Sequence, residues 1–181
     1  MNLANKITLL RVLMVPVFVV VFYLDIPFSN YLAASIFIIA SFTDALDGHI
    51  ARSRNLITNF GKFADPLADK VLAAAALIVL VSAGKVPAWV VIIIIAREFA
   101  ISGFRIIAAS EGITIAASKW GKAKTISQLT AIILLLLNNF PFSYLGIPMD
   151  VFMLYLALVL TIISGADYII KNYHILSSGD R

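Results

Sequence analysis

The chain has 181 residues, 61% of them hydrophobic and only 13% charged, with a mean hydropathy of +0.99, which leaves too little polar surface to cover a water-soluble globule and points to an integral membrane protein. It contains no cysteine, which excludes disulfides, zinc–thiolate sites and thiol catalysis and leaves oxygen or imidazole to hold any metal. Fourteen Lys and Arg against ten Asp and Glu give a net charge of +4, so the placement of the cations says more than their number.

Six apolar segments follow in order, at about residues 7–24, 31–52, 60–82, 87–109, 125–137 and 151–170. Turn chemistry separates them at Ile26-Pro27, at residues 84–87 and at residues 138–148. A bilayer core of ~30 Å needs ~20 helical residues, so the segments predict an all-α, polytopic protein with six transmembrane helices. No tandem repeat, low-complexity tract or long linker interrupts them, and residues 1–181 are expected to form a single membrane domain. The first segment has the charge and apolarity of a signal peptide, but Tyr23-Leu24-Asp25 offers no small-residue cleavage site, and it reads as a retained helix. If the spans alternate, Lys6, Arg52, Arg54, Lys62, Lys119, Lys122, Lys124, Lys171 and Arg181 fall on one side and only Lys85 on the other. The positive-inside rule then places both termini in the cytosol. Tyr23, Tyr31, Trp89 and Tyr144 near segment ends suit interfacial anchoring.

The second and third segments are peculiar. Their unbroken apolar stretches, residues 31–43 and 71–81, are too short to cross a bilayer alone, so the acid-bearing stretch DALDGHIARSRNLITNFGKFADPLAD must complete both crossings. That puts Asp44, Asp47, Asp65 and Asp69 in the cytosolic half of the membrane or at its edge. A carboxylate at the centre of a span costs ~2.5–3.5 kcal/mol on insertion scales, so four require inward orientation and neutralisation. Helical spacing supplies the orientation. Asp44, Asp47, Gly48, Ala51 and Arg52 share one face, Gly61, Asp65 and Asp69 form an i, i+4, i+8 line, and Phe63, Leu67 and Val71 take the opposite face. The small residues Gly48, Ala51 and Gly61 leave room for a ligand or a neighbouring backbone. Pro66 either bends its helix or marks its first turn.

Four converging carboxylates make a hard, all-oxygen site suited to Mg²⁺ or Mn²⁺, and two divalent ions would balance its charge. A paired-ion site matches phosphoryl transfer. The alternative is a structural network in which the aspartates pair with Arg52, Arg54, Lys62 and Lys70.

The string Asp44-x2-Asp47-Gly48-x2-Ala51-Arg52-x8-Gly61-x3-Asp65-x3-Asp69 resembles, at every specified position, the signature of the CDP-alcohol phosphotransferase family, six-helix membrane enzymes that transfer a substituted phosphoryl group from a CDP-linked donor to an alcohol and release CMP. The resemblance implies that Asp44, Asp47, Asp65 and Asp69 ligate two metal ions and that Asp69 is the base for the attacking hydroxyl. It implies a CDP-binding pocket made by Asp44, Gly48, Ala51, Arg52 and Gly61, joined upstream by Asn5, Thr8 and Arg11. For Asn5 and Thr8, capping before a helix is the competing explanation. A small-residue surface that admits a nucleotide, beside an Arg that can fork onto phosphate, makes physical sense of the pocket.

Further on, the pattern Arg97-Glu98-Phe99-x5-Arg105 and then Gly121-Lys122-x-Lys124-Thr125 resembles the phosphatidylglycerophosphate synthase branch of the family. That resemblance implies CDP-diacylglycerol as donor and glycerol 3-phosphate as acceptor, with Arg105, Lys122 and Lys124 binding the acceptor phosphate. An anion entering beside four carboxylates needs such counter-charge. Arg97 reads as paired to Glu98 or to a neighbouring helix, and Lys119 as a solvated interfacial charge. His49 and His174 acquire no role, since the acids already supply metal and base functions, and Glu111 and Asp150 fall near loops, where solvated charge is the default. The family also implies a homodimer in the cell's cytoplasmic membrane, with its active site facing the cytosol and no nucleic-acid partner.

Three alternatives remain: another acceptor within the family, such as inositol phosphate or serine; intramembrane prenyl transfer, which lacks the Gly-x2-Ala-Arg element; and a divalent-cation channel. A channel would need polar residues through the outer half, where residues 31–40 and 71–82 offer no acids.

Overall fold

The computed structural model describes residues 3–53, 59–110 and 118–178, with side chains described at 9–10, 12–43, 70–109 and 118–172. Among these residues the chain is all-helical, without a strand: α1 (Leu3–Tyr23), α2 (Ser29–Ser53), α3 (Asn59–Ser82), α4 (Ala88–Ser110), α5 (Lys119–Leu136), a short 3-10 helix (Phe142–Leu145) and α6 (Met149–Ser178). Each of the six apolar segments is therefore a helix. Arg54, Glu111 and Arg181 lie outside the described residues.

Helix α1 packs on α2 and α3, α5 lies along α6, and α4 bridges α3 and α6, while α5 also touches α2 and α3. The core follows from helical stripes of buried apolar residues: Ala33, Phe37 and Ala40 on α2, Leu72, Ala76 and Leu80 on α3, Val90 and Ile94 on α4, and Ile132 and Leu136 on α5. Phe18 of α1 closes against Phe37, ring centroids 6.1 Å apart. The alanines matter because, in lipid, helices associate by close packing rather than by escape from water. On the outer faces, Phe42, Ile78, Ile92, Ile106, Val159 and Ile162 are exposed, an apolar exterior far beyond what a soluble monomer shows.

Within α6, Met149–Asn172 is long and apolar enough to cross a membrane. Of the six expected spans, it alone meets that test among the described residues. The apolar stretches of α1, α2 and α3 are shorter: Val12–Tyr23, Ser29–Thr43 and Lys70–Ser82.

Local chemistry sets the helix ends. Gly84, at φ +71°, ends α3 in a Schellman turn, with Gly84 N donating to Val81 O at 2.9 Å and Lys85 N to Leu80 O at 3.0 Å. Lys85 then reaches across to the end of α5, its Nζ donating to Leu135 O at 3.0 Å and to Asn138 Oδ1 at 2.6 Å. Burial lowers the Lys85 pKa from its ordinary value, against an opposing pull from Asp150. At the far side of that turn Asn139 donates to Ile147 O at 2.7 Å and accepts from Asp150 N at 3.2 Å, tying the loop to the first turn of α6. Helix α5 starts earlier than its apolar run, at Lys119 rather than near residue 125, because Ser118 caps it: Ser118 Oγ accepts from Gly121 N at 3.1 Å. Near its end α6 departs from helical geometry at Asn172, whose side-chain amide donates to Tyr168 O at 2.7 Å.

Candidate active site

Asp44 and Asp47 belong to α2, Asp65 and Asp69 to α3, and these helices pack on each other. The side chains of Asn5, Thr8, Arg11, Asp44, Asp47, Gly48, Ala51, Arg52, Gly61, Asp65 and Asp69, like those of Lys6, Lys62, His49 and His174, lie outside the described ones; their helix register does not. Asp44 follows the fully buried Phe37 and Ala40 by seven and four residues, on the inward register of α2, and Asp47, Gly48 and Ala51 continue that line. Asp69 precedes the buried Leu72 and Ala76 by three and seven residues on the inward register of α3, one turn after Asp65. Val71 and Ile78, on the other register, are exposed. Helix α3 runs unbroken through Pro66. Because α1 begins at Leu3, Asn5 and Thr8 stand within its first two turns, not ahead of it as caps.

One turn deeper than the aspartates, α2, α3, α4 and α5 enclose a cavity of about 210 Å³. Its lining includes Ser41, three residues before Asp44, and Lys70, directly after Asp69, with Phe37, Ala73 and Ile94 as apolar walls. Its polar side is made by Glu98 of α4 and by Lys124 and Gln128 of α5. Lys124 is only 2% exposed and forms an ion pair with Glu98 through Nζ and Oε1. Arg97 lies 3.7 Å from the same carboxylate oxygen and donates from its other terminal nitrogen to Ser164 Oγ of α6 at 2.9 Å. The expected pairing of Arg97 to Glu98 or to a neighbouring helix is thus met on both counts. Gly165 permits it, since a Cβ there would come within 3.3 Å of Arg97 Cγ.

The three cations expected at the acceptor phosphate are distributed differently. Lys124 lines the cavity. Lys122, two residues away on a different face of α5, is exposed, and neither it nor Arg105 belongs to the cavity lining. Arg105 is exposed on α4, with its guanidinium 5.5 Å from the centroid of the Tyr168 ring of α6, which is itself edge-on to Phe104. Lys119 is exposed, as expected of a solvated interfacial charge. Sequence reading overlooked Glu98 as the partner of Lys124 and passed over Gln128. The signal for the latter was present: Lys124 and Gln128 are one turn apart on a helix whose continuation is almost wholly apolar.

The two helices carry four aspartates, a residue type that fits hard divalent cations, and the largely apolar cavity beside them carries a few polar groups, Glu98, Lys124 and Gln128, on one side. Comparison with known proteins gives the same direction. The family model for CDP-alcohol phosphatidyltransferase matches residues 1–163. The chain is similar to the CDP-diacylglycerol--glycerol-3-phosphate 3-phosphatidyltransferase of Bacillus subtilis, 44% identical with 99% of each chain covered. It is likewise similar to the proteins of that name from Haemophilus influenzae, 40% identical over 93% of this chain and 91% of the relative, and from Rickettsia bellii, 38% identical over 92% and 93%. With the signature on packed helices and the match running through most of its length, this chain belongs to the CDP-alcohol phosphatidyltransferase family.

Proposed function

We propose that this chain transfers the phosphatidyl group of CDP-diacylglycerol to glycerol 3-phosphate, giving phosphatidylglycerophosphate and CMP. The observation that carries the reading is the near-complete coverage of relatives named for that reaction. The inward registers of the four aspartates support it. The enzyme is read as a single domain of six membrane-spanning helices in the cytoplasmic membrane, with both termini and the aspartates toward the cytosol, and as a homodimer by family resemblance.

Asp44, Asp47, Asp65 and Asp69 would hold two Mg²⁺ or Mn²⁺ ions, which supply positive charge to the phosphoryl oxygens when bound. Asp69 takes the proton of the acceptor hydroxyl. The hydroxyl oxygen bonds to the phosphorus that carries diacylglycerol, the bond from that phosphorus to the bridging pyrophosphate oxygen breaks, and CMP leaves with the electron pair. Arg52 forks onto the nucleotide phosphate, while Gly48, Ala51 and Gly61 leave the nucleotide its space and Asn5, Thr8 and Arg11 border it from α1. Arg105, Lys122 and Lys124 supply counter-charge to the acceptor phosphate, which does not react.

The deciding experiment measures CMP release from CDP-diacylglycerol by the purified protein in detergent, with glycerol 3-phosphate, inositol phosphate or serine offered separately. Release is expected with glycerol 3-phosphate alone. Release dependent on another acceptor would move the chain to a different branch, and none with any acceptor would favour a channel.

Topology has its own test. The absence of cysteine allows single cysteines to be introduced cleanly, and one at Ser143 should react with an impermeant reagent added outside intact cells, whereas one at Lys119 should not. Lys119 is preferred to Ser118, whose hydroxyl caps α5. The reverse labelling pattern would put the aspartates on the outer face and overturn the orientation.

A further inference from the structure

Gln128 is a buried amide with an unmet valence. It is 6% exposed, it lines the cavity beneath the aspartates, and its Oε1 accepts no hydrogen bond from any described residue. Burying a polar atom unpaired is costly, and in an otherwise apolar helix interior such an atom marks a place where something hydrogen-bonding belongs. Beside it, Lys124 is paired with Glu98, and Gln128 adds to this side of the cavity an unmet acceptor oxygen that carries no charge. An oxygen of this kind suits a hydroxyl hydrogen and discriminates against a phosphate oxygen, which has no proton to give in its dianionic form.

The position agrees with the chemistry. α5 runs away from the level of the aspartates, and helical side chains lean toward their own N-terminus, so the carboxamide of Gln128 leans back toward the aspartate end of the cavity. Of the residues lining the cavity, Lys70 directly follows Asp69 and Ser41 precedes Asp44 by three residues. The volume, about 210 Å³, is ample for a glycerol unit and far too small for a diacyl chain pair.

We infer that Gln128 is a specificity-determining residue for the acceptor: its Oε1 accepts a hydrogen bond from the non-reacting 2-hydroxyl of glycerol 3-phosphate, holding the 1-hydroxyl at the level of Asp69 while the phosphate stays toward the cytosolic cations. This rests on the proposed phosphatidyl transfer to glycerol 3-phosphate. It adds a discrimination that charge alone cannot supply, since Arg105, Lys122 and Lys124 recognise any alkyl phosphate equally.

The test compares glycerol 3-phosphate with 3-hydroxypropyl phosphate, which keeps the reacting hydroxyl and the phosphate but lacks the 2-hydroxyl. Wild-type protein should prefer glycerol 3-phosphate by roughly tenfold or more in kcat/KM, because the analogue leaves the amide oxygen unpaired. In Gln128→Leu the value for glycerol 3-phosphate should fall by a similar factor, while that for the analogue stays level or rises, so the preference disappears. A general packing defect would lower both substrates together and would overturn the assignment. The wild-type comparison needs no variant: equal use of the two acceptors overturns the role of Gln128 even if Gln128→Leu fails to fold. CMP release with neither acceptor would overturn the phosphatidyl-transfer reading itself, a result distinct from release without discrimination.

Discussion

Asp69→Asn is expected to lower the rate of CMP release at saturating substrates by at least ~10²-fold, the usual scale for loss of a general base, while the protein keeps its elution profile and thermal unfolding in detergent. The expectation builds from the sequence upward. Asp69 is the last acid of an i, i+4, i+8 line, and the helix that carries it is continuous from Asn59 through Ser82. Its inward register is fixed by Leu72 and Ala76, buried three and seven residues later, and the cavity proposed for the acceptor is lined by Lys70 and Ala73, one and four residues after it. Of the four aspartates it is therefore the one next in sequence to a residue lining that cavity. Asparagine preserves the shape and one oxygen ligand but takes up no proton at neutral pH, so it separates the base function from gross disruption of the site. Retention of near-normal turnover by the variant would remove Asp69 as the base and leave it a structural or metal-holding residue.

The helices themselves were legible in the sequence because long apolar runs favour a conformation whose backbone polar groups pair within the segment. Their ends were less so. The start of α5 was misplaced by six residues when read from apolarity at residue 125, since a helix begins where its first amides are capped, here by Ser118, and the polar turn from Lys119 to Lys124 carries no hydrophobic signal. The acidic motif was legible as a family signature, and its offsets fall on two helices that pack on each other. Partner choice across helices was not. Lys124 read as a free cation for phosphate, yet the fold places it against Glu98, which Arg97 also approaches to 3.7 Å while donating onward to Ser164. Such pairings depend on the rotation of one helix about its axis relative to another, which sequence spacing within a helix does not encode. Lys85 makes the same point. It counted only as the lone cation of the outer side, whereas its ammonium binds a carbonyl and an amide at the end of α5.

The Glu98–Lys124 pair yields the second large effect. Lys124→Met should destabilise the folded protein by about 3 kcal/mol, toward the lower end of what breaking a buried ion pair costs. The lower end is chosen because the Glu98 side chain is 20% exposed and Arg97 remains 3.7 Å from it. The loss arises less from the missing attraction than from the carboxylate left behind in an apolar cavity, so Glu98→Gln placed in the same chain should recover most of it, as neutralising both members of a buried pair commonly does. Denaturant unfolding in detergent measures both. The same two variants decide what Lys124 does for the substrate. If its ammonium also touches the acceptor phosphate, KM for glycerol 3-phosphate should stay raised by ~10-fold in the stable double variant, since a hydrogen bond to a charged group contributes ~1.5–3 kcal/mol. Recovery of KM along with stability would confine Lys124 to holding α4 against α5, and the acceptor phosphate would then belong to Arg105 and Lys122, the two cations that stand outside the cavity on the exposed faces of the same helices.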